Sequence, residues 1–310
     1  LLTLGAGTNY ATGDAGNDAI TGGAGRDTMF GNDGTDSLTS GNGTTHMDGG
    51  IGADTFVGGT GANTIIGGDD ADSVSGGAAG TNRVEGGAGG DKITLLGGAD
   101  TVFGDAGADT IDGGDGANTI SGGADGDLIT VGAGAQAIVG DDGNDTITSS
   151  GAGTGSLSGG AGNDSITGGS GAETLTGGAG TDTIVAGGVG SGGADRFVFA
   201  AGDSVTATPD LIAGGVAGLD FAASDTFALG VVGTAGNFLV GTVATSYAQA
   251  LQDASSLIGG GSRDIVVITV TGADAGTYVF ADSAGANAVT NAIKLTGTIN
   301  GTIDHTDFVA

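Results

Sequence analysis

The chain has 310 residues, 73 of them glycine and only one proline, yet hydrophobic residues still make up 38% of it. That balance excludes a flexible linker and, without a three-residue period, a collagen. Thirty-six acids against six bases leave a net charge of −30, which repels nucleic acid and anionic lipid, so neither is an expected partner.

Chain order brings out a nine-residue unit. The stretch GGDGANTISGGADGDLIT (113–130) is two such units end to end, each with a polar residue at position six and an apolar residue at position eight. Position eight is Leu2, Ala11, Ile20, Met29, Leu38, Met47, Phe56, Ile65 and Val74; after one extra residue it resumes at Val84, Ile93, Val102, Ile111, Ile120, Ile129, Ile138 and Ile147. A second single insertion precedes Leu157, Ile166, Leu175 and Ile184, and four extra residues lead to Phe197. The predicted elements are very short strands, with position eight pointing inward, its neighbours outward, and glycines supplying the positive φ of tight turns. Two units make one 18-residue turn of a coil with parallel strands about 4.8 Å apart, so roughly eleven turns span on the order of 50 Å. A core of one apolar side chain per strand is thin against the backbone entropy of so much glycine. Because Leu2 already fits the register, the chain is expected to begin partway through a longer protein.

GDAGNDAIT (13–21), GGAGRDTMF (22–30), GGAGNDSIT (159–167) and GGAGTDTIV (177–185) resemble the nonapeptide of RTX (repeats-in-toxin) proteins, over about residues 4–198. The resemblance implies a parallel β-roll, with Ca²⁺ between consecutive loops of one edge, held by Asp carboxylates and loop carbonyls, the hard oxygen ligands this ion prefers. Since units alternate edges, every second unit is read together. One edge carries Asp18, Asp36, Asp54, Asp72, Asp91, Asp109, Asp127, Asp145, Asp164 and Asp182 at position six. The other carries Asn9, Asp27, Thr45, Asn63, Asn82, Asp100, Asn118, Gln136, Gly155, Glu173 and Asp195. Other acids, including Asp14, Asp33, Asp69, Asp70, Asp105, Asp141 and Asp142, also crowd the first edge, and both insertions (76–85 and 149–158) fall on the second. Asp, Asn and Gly are ordinary turn formers, but ten in-phase aspartates favour calcium: about nine ions in one file, with weak sites on the second edge most plausible near Glu173–Asp195.

After Gly193 the period fails. DRFVFAAGDS (195–204) is similar to the aromatic exit from an RTX roll. Residues 245–258 place Tyr247, Leu251, Ala254 and Ile258 at helical spacing, 264–270 and 277–282 read as a hairpin, and 292–299 as a further strand. The expectation is all-β: a parallel β-roll over 1–198, then a β-rich C-terminal domain over 199–310 with a short helix. By the resemblance, that domain carries a type I secretion signal, and TDFVA (306–310) is similar to its ending; a β-rich cap on the roll's open edge is equally compatible.

Candidates for catalysis are sparse. His46 and His305 lack zinc-motif spacing, GVGSGG (188–193) matches a dinucleotide pattern without a βαβ context, and Asp69–Asp70 lacks an aromatic-lined pocket. No cysteine is available for disulfides or thiolate sites, and no apolar run approaches membrane-spanning length. Two functions fit: a secreted, calcium-folded surface protein of a Gram-negative bacterium that self-associates as a lattice or adheres, and the secretion and folding module of an exoenzyme or toxin with its catalytic domain upstream. Neither reading makes this segment an enzyme; both make calcium and the type I secretion machinery its partners.

Overall fold

The strand at Thr110–Asp112 is only three residues long, because the glycine-rich loops at 104–109 and 113–118 bound it, and only Ile111 of the three is buried. This pattern recurs along one sheet of the computed structural model, which describes residues 1–77, 80–187 and 193–198. Beyond these it describes the strand residues 210–213, 219–220, 226–228, 238–244, 265–270, 276–281, 291–296, 299–300 and 308–309. The chain forms two compact units, Leu1–Gly151 and Ala152–Ala310.

In the first unit, odd and even strands build two all-parallel sheets. One holds short strands such as Ala19–Thr21, Ser73–Ser75 and Lys92–Thr94; the other holds longer ones such as Gly25–Asp33, Thr101–Ala106 and Ala137–Asp142. The register advances by one pair of repeat units, Ile111 opposite Ile129 and Val102 opposite Ile120, and by one position more where the first insertion intervenes, Val74 opposite Ile93. From Ala11 to Ile147, every position-eight residue is buried, while Leu2 at the first strand remains 42% exposed. The parallel β-roll with two repeat units per turn is therefore present. Position six is the second inward row and is polar, so hydrogen bonds or ions must satisfy it.

In the second unit, Ser156–Ala161 pairs with Thr174–Ala179, and Ser165–Thr167 with Thr183–Val185, in the same parallel register. Arg196–Val198, with Phe197 fully buried, extends one sheet and then pairs with Thr226–Ala228, which pairs with Phe308–Val309. Asp210–Ala213 adds to Thr183–Val185 and pairs with Asn291–Thr296. The hairpin read from sequence is present as Ile265–Val270 antiparallel to Gly276–Ala281, whose other side pairs with Asn291–Thr296. The helix expected over 245–258 lies outside the described residues.

Candidate functional site

Where the long strands hand over to the short ones, the loops 31–36, 49–54, 67–72, 86–91, 104–109, 122–127 and 140–145 stack as one acidic edge of the first unit. The backbone folds each position-six aspartate inward. Asp36, Asp54, Asp72, Asp91, Asp109, Asp127 and Asp145 are buried, with Asp18 half-buried at one end of the row. The backbone N–H of each aspartate donates to Oδ1 of the next: Asp36 to Asp54, Asp54 to Asp72, Asp72 to Asp91 and Asp91 to Asp109, all at 2.7 Å. Asp109 to Asp127 and Asp127 to Asp145 continue the row at 2.8 Å. In the second unit Asp164 and Asp182 repeat the arrangement at 2.9 Å.

The second oxygen is different. Oδ2 of Asp36, Asp54, Asp72, Asp91, Asp109 and Asp127 is buried without a hydrogen-bond partner. Each lies against the first glycine of its own loop, where the carbonyl oxygen of the next loop's first glycine also approaches. At Gly104, a Cβ would collide with both Asp109 Oδ2 and the Gly122 carbonyl oxygen. Gly86 stands in the same relation to Asp91 Oδ2 and the Gly104 oxygen, and Gly122 to Asp127 Oδ2 and the Gly140 oxygen. Two acceptors with no donor between them is the environment a hard cation satisfies and a hydrogen bond does not. The residues present fit Ca²⁺.

Electrostatics agree. Burial, opposed in part by the backbone hydrogen bond and reinforced by neighbouring carboxylates, pushes Asp72 and Asp109 up to about 7 from an ordinary 3.8. The same causes put Asp54 and Asp127 at about 6. Asp91 and Asp145 are raised as well, again chiefly by burial. Without a cation, Asp72 and Asp109 hold protons below about pH 7, and Asp54 and Asp127 below about 6.

The opposite edge satisfies itself. Ser40 Oγ lies 2.7 Å from Thr45 Oγ1 and donates to Asn63 Oδ1; Asn63 Nδ2 donates to Asn82 Oδ1, and Asn82 Nδ2 to Asp100 Oδ1. Asp100 N–H donates to Asn118 Oδ1, Asn118 N–H to Gln136 Oε1, and Asn118 Nδ2 to the Gly113 carbonyl. Asp27 accepts from Asn9 Nδ2 and from Gly23 N–H. In the first unit Asp100 is the exception, with Oδ2 buried and unpartnered and burial raising its pKa. Glu173 N–H donates to Asp195 Oδ1, and burial raises the Glu173 carboxyl, but residues 188–192 of the intervening loop lie outside those described.

Position one also separates the edges, a signal present in the sequence but not used above. On the acidic edge it is glycine in all ten units, from Gly13 to Gly177. On the other it includes Ser40, Leu95, Val131, Ser149 and Ala186, all buried. Leu95 reaches the space above Gly76, and Val131 that above Gly113. Side chains thus fill there the volume that glycine leaves open on the acidic edge.

Backbone conformation explains some of the remaining acids. Six non-glycine residues among those described have positive φ, namely Asp14, Asn32, Asp70, Asp105, Asp125 and Asp141, and all lie in acidic-edge loops. Asp and Asn tolerate the left-handed region best after glycine. The five aspartates therefore serve the turn as well as the charge.

Among the described residues no three His, Asp or Glu side chains converge as a metal cluster, so any cation here depends on backbone carbonyls as well. His46 lies on an outward sheet face, Asp69 ends the strand Asn63–Asp69 and Asp70 follows it, both exposed, and His305 and residues 188–192 are outside those described. No helix among the described residues is long and apolar enough to cross a membrane.

No curated protein matches the chain. The family model described as the RTX calcium-binding nonapeptide repeat (4 copies) matches residues 3–44, 48–79, 77–111, 112–147 and 149–184, more than half of its length. With its parallel roll of paired nonapeptides and its row of buried aspartates, the chain belongs to the RTX calcium-binding nonapeptide-repeat family.

Proposed function

We propose that calcium binds in one file along the acidic edge and that this binding folds the roll. The observation that carries the reading is the row of buried Oδ2 atoms facing carbonyl oxygens with no donor between them. Asp18, Asp36, Asp54, Asp72, Asp91, Asp109, Asp127 and Asp145 hold the ions of the first unit, and Asp164 and Asp182 those of the second. Calcium supplies positive charge and replaces the missing donors; it performs no chemistry on a substrate. Roughly nine divalent ions take the net charge from −30 to about −12, so the loaded protein stays acidic. Binding free energy becomes folding free energy, keeping the chain threadable in a low-calcium cytoplasm and folding it outside.

The role that fits best is a non-catalytic, secreted protein of the bacterial surface, assembled as a lattice or used in adhesion. The long regular roll and the β-rich C-terminal strands added to its sheets support that reading. Circular dichroism during a millimolar calcium titration, with bound calcium counted by elemental analysis, tests the ion file; an equally folded roll in excess chelator refutes it. Electron microscopy of native cells tests the lattice. A catalytic motif in adjoining upstream sequence, on cells without a lattice, favours the exoenzyme or toxin module instead.

A further inference from the structure

Threonine and serine dominate the outward faces of the roll, and aromatic residues are scarce: residues 1–187 contain only Tyr10, Phe30, Phe56 and Phe103. Phe56 is core. Phe103 lies under Arg83, 4.8 Å from guanidinium carbon to ring centroid, and Arg83 is already paired with Glu85. The other two lie together. Tyr10, 71% exposed, packs against Phe30 at 5.5 Å between centroids, and Phe30 meets the His46 ring edge-on at 5.9 Å.

Beside this aromatic run is a cleft of about 290 Å³, lined by Arg26, Asp27, Thr28, Thr44, Thr45, His46 and Thr64. Strand register explains the grouping. Thr28, His46 and Thr64 occupy the same outward column on three consecutive turns, with Arg26 and Thr44 paired in the adjacent column. Asp27 and Thr45 are the buried floor, and Asp27 is already engaged by Asn9 and Gly23. Among the described residues Arg26 forms no ion pair, although the chain has six times as many acids as bases. Asp48 pairs with Phe30 in the neighbouring column, so this carboxylate and the aromatic run both flank the cleft without lining it.

We infer that this cleft binds a carboxylate-bearing saccharide. The ingredients match the ligand group by group. A sugar ring has an apolar C–H face, for which Phe30 and Tyr10 provide a platform. Its hydroxyl rim meets Thr28, Thr44 and Thr64, each both donor and acceptor. Its carboxylate meets Arg26, whose planar fork suits a bidentate contact. The volume, near the lower end of ligand clefts, accommodates about one sugar unit, and the column along consecutive turns lets a longer chain continue. All these side chains project from paired strands rather than free loops, so the site is held rigid before the ligand arrives. The protein's own charge opposes any anion at long range, so calcium along the acidic edge strengthens binding by lowering that repulsion.

The test uses the full chain saturated with calcium, titrated with trigalacturonate and, separately, maltotriose, and followed by nuclear magnetic resonance at Thr28, Thr64 and His46. Trigalacturonate is expected to shift these signals saturably, and maltotriose much more weakly. Arg26→Gln is expected to weaken trigalacturonate binding roughly tenfold, and Phe30→Thr severalfold, while Lys92→Gln, exposed on the other sheet, leaves it unchanged. All three positions face outward, and circular dichroism checks that each variant folds. The inference is overturned if trigalacturonate produces no shift at millimolar concentration, if maltotriose binds equally well, or if Lys92→Gln weakens binding as much as Arg26→Gln. It is also overturned if binding survives Arg26→Gln and merely follows calcium concentration, because the uronate is then bridged by metal.

Discussion

Asp91 donates its backbone N–H to Oδ1 of Asp109 one turn further on, at 2.7 Å, while Oδ2 of Asp109 stays buried without a hydrogen-bond partner. One carboxylate therefore links two turns and also presents an unsatisfied acceptor. The sign of a substitution there depends on calcium. In calcium, Asp109→Asn removes a charged ligand and is expected to cost about 2–4 kcal/mol of stability. In chelator above pH 7, where Asp109 is ionised, the same change removes a self-repelling buried charge and supplies an N–H donor beside the Gly122 carbonyl, so it stabilises. Asn118→Ala, which deprives Asp100 N–H of its acceptor, costs about 1–3 kcal/mol in either condition. Denaturant melts of both variants with and without calcium check this; equal losses for Asp109→Asn in both conditions would contradict it.

The raised carboxyls fix the direction of the pH dependence. Asp72 and Asp109 titrate near 7 in the folded, metal-free form and near 3.8 when unfolded, so the folded state binds more protons between those values. Their contribution to metal-free stability is fully present below the unfolded value and is lost as pH rises through the folded one. In chelator, β-structure should therefore persist at mildly acidic pH and disappear towards pH 8. Calcium acts on the deprotonated form, so its binding near pH 6 releases protons into a weakly buffered solution. Loss of metal-free structure on acidification, rather than on alkalinisation, would reverse the sign and reject the account.

Two glycines at equivalent positions should respond unequally to alanine. At Gly104 the new Cβ meets Asp109 Oδ2 and the Gly122 carbonyl, and the carbonyl cannot move without disturbing the sheet. At Gly113 it meets the ends of the Ile120 and Val131 side chains, which can turn aside. Gly104→Ala should cost several kcal/mol, about 3 or more, and Gly113→Ala about 1. Thermal melts in saturating calcium compare them, and equal losses would show that the acidic edge is no more tightly packed than its opposite.

With one buried position-eight side chain per strand, cavities cannot be shared widely. Phe56 lies between Leu38 and Val74 in its column and is fully buried. Phe56→Ala should cost about 3–5 kcal/mol and raise the calcium concentration needed to fold. An unchanged calcium midpoint would separate the core from the ion file.

The roll was legible in sequence because its two constraints are local and periodic. Position eight must be apolar, and position six must match the chemistry of its edge. The parity of Asp127 and Asn118 also carries over to a structural difference, an unpartnered carboxylate oxygen against a self-satisfied amide. What the letters concealed was why some acids stand where they do. Asp105 and Asp141 read as further charge for cations, yet their φ of 74° and 79° shows that the turn itself selects them. Nor does spacing reveal that Arg26 and His46 share a cleft, because they belong to different turns and meet only once Gly25–Asp33 is paired with Thr44–Ile51.

The first insertion has a mechanical consequence. The step from Asp72 to Asp91 is one residue longer than its neighbours, yet the hydrogen bond from Asp72 N–H to Asp91 Oδ1 keeps their 2.7 Å. In sequence the extra residue falls between Val74 and Val84, on the side whose amides pair among themselves. One edge thus works as a ruler with fixed graduations, and the other as its slack. Length variation, whether inherited or engineered, is tolerated on the slack side and interrupts the graduations on the ruler side.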